Sequence, residues 1–139
     1  MQIMATSEVV YIGELSTTAT HLKSSSTLQT DAPVDNNGLG GTFSPTDLLA
    51  TSLASCMLTI AGIQAAKMKI DISGMKASVT KIMASSPRRV AEIIVDVTLT
   101  DRGLTRSQKA ALEKAARNCP VALSLSESLK QSIRFTYEA

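Results

Sequence analysis

Two cysteines are the residues of this chain best suited to covalent chemistry. Cys56 lies in the apolar segment "FSPTDLLATSLASCMLTIAG", and Cys119 lies far downstream in "RNCPVALSL". Their separation excludes a short C-x-x-C redox motif. One histidine and two cysteines also make too few ligands for a structural zinc site, so no metal is expected. Spacing alone leaves the roles of the two thiols open.

Cys56 has a purely structural interpretation, because free cysteines often pack as small hydrophobic residues. Its neighbours Leu53 and Met57 are apolar, and desolvation disfavours a thiolate. A reactive Cys56 would therefore need a cationic or hydrogen-bonding partner from elsewhere in the fold. A cysteine hydrolase would have to use His21, since the chain has one histidine, and nothing in the spacing favours that pair.

Cys119 lies beside the start of a predicted helix. Asn118 suits an N-cap, and Pro120 is tolerated in a first helical turn. The unpaired N–H groups at such a helix start would favour the Cys119 thiolate. A cysteine that simply fills a turn is the structural alternative.

Composition limits the classes of protein to which the chain could belong. We predict one domain over residues 1–139, filled by aliphatic side chains because aromatic residues make up only 3%. Lys+Arg 14 against Asp+Glu 12 gives a net charge of +2, which argues against a nucleic-acid partner. The N-terminus shows no signal peptide, and polar residues interrupt the longest apolar run, so we expect a cytoplasmic protein without a membrane span.

The elements that must position the thiols follow from periodicity and turn residues. The segments "SEVVYIGEL" and "TATHLKSSSTLQT" predict an N-terminal β-meander, and "DAPVDNNGLGG" predicts a loop before a long helix. "KASVTKIMA" and "RVAEIIVDVTLT" predict a β-hairpin. "TRSQKAALEKAARN" predicts an amphipathic helix capped by Thr105, and "CPVALSLSESLK" predicts a further helix or its first turns. With a last strand at "SIRFTYE", the order predicts an α+β domain.

The long helix has a well-defined start and an unusual composition. Ser44 can cap it, Pro45 suits its first position, and Asp47 completes a pattern like a capping box. From Leu48 onward apolar residues occur on every side, which predicts a central helix covered by other elements or by a partner subunit. Gly62 would permit close packing.

The combination "FSPTDLLATSLASCM" and "NCPVALSL", in this order of elements, resembles the OsmC/Ohr family of osmotically inducible and organic-hydroperoxide-resistance proteins. The resemblance implies an intertwined homodimer with two central helices back to back. It also implies a thiol-dependent peroxidase without cofactor, in which Cys56 attacks a hydroperoxide and Cys119 resolves the sulfenic acid as a disulfide. A dithiol reductant would then recycle the disulfide.

The chain departs from the better-known branches of that family at the group that activates the thiolate. Those branches carry a Glu ten residues before the first cysteine, paired with an N-terminal Arg. This chain has Thr46 there, with Asp47 adjacent, and no arginine before Arg88. His21 and Lys23 are the cationic candidates, and strand alternation predicts that they share one face. The chain therefore resembles a less characterised OsmC-like branch.

The missing Glu/Arg pair keeps a second class of function open. A binding or redox-sensing protein could use the same fold and the same two cysteines as a switch, without turnover.

Overall fold

The structure is a computed structural model that describes residues 3–139 and divides into two compact units, one ending at Leu48 and one spanning Leu49–Ala139. The prediction of one domain over residues 1–139 stays a prediction. The α+β class is confirmed by the elements in chain order: β1 Ser7–Gly13, β2 Ser16–His21, β3 Thr27–Asp31, a 3-10 turn Val34–Asn36, α1 Pro45–Lys67, β4 Lys76–Ala84, β5 Arg89–Thr100, α2 Arg106–Arg117, α3 Pro120–Ser124 and β6 Lys130–Glu138.

The first unit is the predicted meander, an antiparallel sheet in the order β1-β2-β3. Among its described residues the buried side chains are polar: the Ser16 hydroxyl donates to the Asp31 carboxylate, and the hydroxyls of Thr17 and Thr30 pair at 2.5 Å. The apolar side chains of β1 are instead exposed. This sheet therefore has no apolar core of its own within the described chain.

The loop after β3 folds back on itself before α1 begins. The Asp31 N–H donates to the Phe43 carbonyl at 3.1 Å, which closes the loop at its base. At Gly38 an added Cβ would lie 1.8 Å from the Ala32 carbonyl oxygen, so only glycine fits there. The glycine that helped to predict a loop is therefore required for the path of the chain into α1.

The second unit is built on a three-stranded sheet with β5 in the middle. β4 pairs with β5 antiparallel, as the predicted hairpin, and β6 pairs with β5 in parallel. Alternate side chains of β5 point into the core, where they meet buried residues of α1, α2 and the segment after α2. The buried apolar residues of β5 are Val90, Ile93, Val95, Val97 and Leu99.

Helix α1 starts as predicted and buries one stripe. The Ser44 N–H donates to Asp47 Oδ2 at 2.9 Å, and the Asp47 N–H donates to Ser44 Oγ at 3.0 Å, which is a capping box. Alanine side chains with Leu53 and Met57 form the buried stripe, while Ile63 is exposed. By length and composition alone α1 could cross a membrane, the one such helix among the described residues, but core helices often meet the same criterion.

Helix α2 packs along β6 through charged side chains placed over aromatic rings. Lys109 Nζ lies 4.7 Å from the ring centroid of Tyr137, whose hydroxyl donates to Glu113 Oε2 at 2.8 Å. About two turns further along α2, the Arg117 guanidinium lies 5.5 Å from the ring centroid of Phe135. Cation–π contacts at these two positions therefore hold α2 against β6.

The Tyr137 hydroxyl should make the stability of the protein depend on alkaline pH. Burial, followed by the Glu113 carboxylate, raises the pKa of Tyr137 well above its ordinary value of 10.0. The unfolded chain therefore loses this proton before the folded chain does, so stability falls as pH rises above about 10. We expect Tyr137→Phe to cost about 0.5–1.5 kcal/mol at pH 8 and to flatten the loss at alkaline pH. Urea midpoints of both chains, measured at pH 8 and at a pH above 10, test this. Equal losses of stability in the two chains between these pH values would contradict it.

Candidate active site

The two thiols differ in exposure. Cys56 lies in the middle of α1, beside the buried Met57, and is half-buried. Cys119 follows α2 directly and is 0% exposed. Both cysteines are free. A reactant arriving from solvent would therefore meet the sulfur of Cys56 first.

Cys119 caps α3 with its own side chain. Its Sγ accepts from the Ala122 N–H at 3.4 Å, and its carbonyl accepts from the Leu123 N–H at 3.1 Å. The prediction that Asn118 is the N-cap was wrong: Asn118 ends α2, where its side-chain amide donates to the Lys114 carbonyl at 2.8 Å. Asn118 therefore ends α2, and the next residue, Cys119, is the N-cap of α3.

The two sulfurs lie within interacting range of each other. Cys56 packs against the buried apolar cluster that contains Cys119, and it influences the pKa of the Cys119 thiol. Burial is the main cause that raises the pKa of the Cys119 thiol, Cys56 raises it further, and the Ala122 N–H opposes both. The N–H groups of the helix start do lower the pKa of Cys119, as predicted, but burial and Cys56 outweigh them. The raised pKa therefore keeps Cys119 in its thiol form at neutral pH.

Thr46 and Asp47 lie at the capped start of α1. Asp47 exchanges two hydrogen bonds with Ser44, and Thr46 Oγ1 lies 3.2 Å from Ser44 Oγ. These contacts fit an acid that holds a helix start, which is the role the sequence favoured for Asp47. A role for either residue in activating Cys56 stays a prediction.

His21 and Lys23 do not share a strand face. β2 ends at His21, and Lys23 lies in the turn that follows. His21 Nδ1 lies 2.6 Å from Ser24 Oγ, and both candidate cations are exposed. The prediction from strand alternation was wrong because this turn begins immediately after His21. Whether either residue activates Cys56 stays a prediction.

Gln131 is a residue of this region that the sequence analysis missed. Its side-chain Nε2 donates to the Ala122 carbonyl at 3.0 Å, which joins β6 to the helix that Cys119 caps. The sequence predicts that the strand begins at Ser132, two residues later than it does. The alternation of Gln131 with Ile133 and Phe135 on the inner face could have revealed it.

Within residues 3–139, no group of three or more His, Cys, Asp or Glu side chains is arranged to hold a metal ion.

Comparison with known proteins identifies the family. Residues 38–134 match the family described as OsmC-like protein, so the chain belongs to that family, and the resemblance seen in the sequence is confirmed. A comparison with curated protein sequences gave no match.

Solved structures show the same fold. A protein of Psychrobacter arcticus 273-4 named for an osmotic stress induced and detoxification response is 50% identical, with 98% of each chain covered and a TM-score of 0.92. An OsmC like protein of Mycoplasma pneumoniae is 20% identical, with 100% of each chain covered and a TM-score of 0.78. An organic hydroperoxide resistance protein of Legionella pneumophila is 17% identical, with 99% of this chain and 100% of that chain covered and a TM-score of 0.69.

Proposed function

We propose that this protein is a cytoplasmic, thiol-dependent peroxidase that reduces organic or hydrogen peroxides in defence against oxidative stress. The observation that carries the proposal is the pairing of a half-buried Cys56 with a fully buried Cys119 within interacting range. The names of the Psychrobacter and Legionella proteins, which refer to detoxification and to hydroperoxide resistance, support the same class of activity.

The difference in exposure supports a separate step for each thiol. The Cys56 thiolate attacks one oxygen of the hydroperoxide, the O–O bond breaks, and Cys56 becomes a sulfenic acid while the alkoxide leaves and takes a proton as the alcohol. The Cys119 thiol then attacks the Cys56 sulfur, and a disulfide forms with release of water. A dithiol reductant restores both thiols and is itself oxidised to a disulfide.

We propose that the protein acts as a homodimer. The apolar side chains of β1 are between 52% exposed at Ile12 and 65% exposed at Tyr11, and Ile63 of α1 is 51% exposed. A three-stranded sheet with no apolar core needs covering to be stable, and a second copy of the chain would supply it. The intertwined arrangement stays a prediction.

A second candidate function is a redox switch without turnover. The observation that favours it is the position of Thr46 where the well-known branches carry a Glu, next to an Asp47 engaged in the helix cap. Without an activating pair, Cys56 could still be oxidised once by peroxide.

The test is a peroxide titration followed by alkylation and peptide mass spectrometry. We expect one equivalent of cumene hydroperoxide or hydrogen peroxide to convert both thiols into an intramolecular Cys56–Cys119 disulfide. With excess dithiothreitol, many equivalents of peroxide should be consumed per chain. Disulfide formation with no more than one equivalent consumed would support the switch, and a Cys56 that stays fully alkylatable in the folded protein would exclude both functions.

A further inference from the structure

Helix α3, which carries Cys119 at its start, is too short to hold its own shape. It has five residues, and an isolated helix of this length does not persist in water because nucleation is unfavourable. Two of its hydrogen bonds are internal: the Leu123 N–H donates to the Cys119 carbonyl at 3.1 Å, and Ser124 Oγ donates to the Pro120 carbonyl at 2.8 Å. Contacts from other elements must therefore stabilise it.

Gln131 supplies such a contact from the sheet. Its Nε2 donates to the Ala122 carbonyl at 3.0 Å, and its backbone is paired in register with Ile93, a fully buried residue of the central strand. Ala122 is also the residue whose N–H donates to Cys119 Sγ at 3.4 Å. Ala122 therefore bonds to both residues: its carbonyl accepts from the Gln131 amide, and its N–H donates to the Cys119 sulfur.

We infer that Gln131 is a positioning residue for the resolving thiol, because its amide fastens α3 to β6 and so keeps Cys119 Sγ beside Cys56. This inference rests on the proposed function, in which Cys119 attacks an oxidised Cys56. Gln131 does not touch the reacting sulfurs and acts through Ala122.

Positioning matters because two reactions compete for the sulfenic acid at Cys56. Attack by the Cys119 thiol forms the disulfide and releases water, whereas a second peroxide molecule oxidises the sulfenic acid to sulfinic acid and is itself reduced to the alcohol or water. The first reaction depends on how closely Cys119 is held, and the second does not. Loosening α3 should therefore shift the products from disulfide towards sulfinic acid, while the first oxidation of Cys56 keeps its rate.

The experiment compares Gln131→Met, which keeps the length of the side chain and loses the donor, with Gln131→Glu. After a pulse of hydrogen peroxide, intact-mass spectrometry gives the ratio of disulfide to sulfinic acid. Loss of one hydrogen bond should lower this ratio about 3- to 10-fold in Gln131→Met at every pH, relative to the wild-type chain at the same pH. Gln29→Met, on an exposed position of β3, is the matched control and should keep the wild-type ratio.

Gln131→Glu separates positioning from a general structural role. A protonated carboxyl can donate its O–H to the Ala122 carbonyl, whereas a carboxylate cannot donate. Because an ordinary glutamate has a pKa of about 4.3, the ratio should rise towards the wild-type value as pH falls to about 4 and drop to the Gln131→Met value near pH 8. A wild-type ratio in folded Gln131→Met, or equal defects of Gln131→Glu at both pH values, would overturn the inference alone. Absence of any disulfide in the wild-type chain would overturn the proposed function as well.

Discussion

Replacing Cys56 with serine is expected to abolish peroxide consumption, with a loss on the order of 1,000-fold or more. A serine hydroxyl is far less nucleophilic than a thiolate at neutral pH, and it cannot be oxidised to a sulfenic acid. The fold should survive because Cys56 is half-buried and serine is of similar size. The measurement is the rate of cumene hydroperoxide consumption with excess dithiothreitol, with far-ultraviolet circular dichroism as the check on folding.

Cys119→Ser is the matched control for that loss. It removes the second thiol and leaves Cys56 in place, so the first oxidation should proceed and a sulfenic acid should accumulate, detectable as a dimedone adduct. Further peroxide should then give sulfinic acid at Cys56. A Cys56→Ser chain that still consumes peroxide at the wild-type rate would show that the reaction does not start at this sulfur.

Local signals along the chain predicted the starts of the two longer helices. The Ser44 and Asp47 side chains form the predicted capping box, and Thr105 caps α2 in a second box with Gln108. Such caps lie within four residues of sequence, so their geometry depends little on the rest of the fold. The β4–β5 hairpin is also predictable from local sequence, because its two strands follow each other directly along the chain.

Features that depend on where one element stops were predicted less well. Lys23 was placed on the strand of His21, but the strand had already ended. The sequence predicts Asn118 at the start of one helix, but Asn118 ends the helix before it. Propensity does not distinguish these outcomes, because turn-forming residues can end one element as well as begin the next.

The meeting of the two thiols could not be derived from their spacing. It requires the core packing of α1, α2 and the chain segment that follows α2, which places Cys119 within range of Cys56. The resemblance to a family supplied the pairing before the structure did. The hydrogen bond of the Gln131 amide could not be predicted either, because its partner Ala122 belongs to another element.

The second large effect concerns β1, whose apolar side chains are exposed on both faces. Val9 and Tyr11 point to one side and Val10 to the other, and each is more than half exposed, as is Ile12 at the irregularity that follows. β1 is also an edge strand, since it pairs only with β2 in the described chain. Long exposed apolar edges promote association, so proteins usually cover them.

Val10→Asp is expected to disrupt the homodimer. On an exposed surface this substitution would change stability by no more than about 0.5 kcal/mol. If a second copy covers β1, an unpaired carboxylate is instead buried at a cost of about 3–5 kcal/mol, which weakens the dimer by more than about 100-fold.

Ser7→Asp places the same charge at a polar position of the same strand and is the control. Light scattering at micromolar concentration should give a dimer for the wild-type chain and for Ser7→Asp, and monomer or unfolded chain for Val10→Asp. Equal masses and equal urea midpoints for the two variants would show that β1 is not part of a dimer interface.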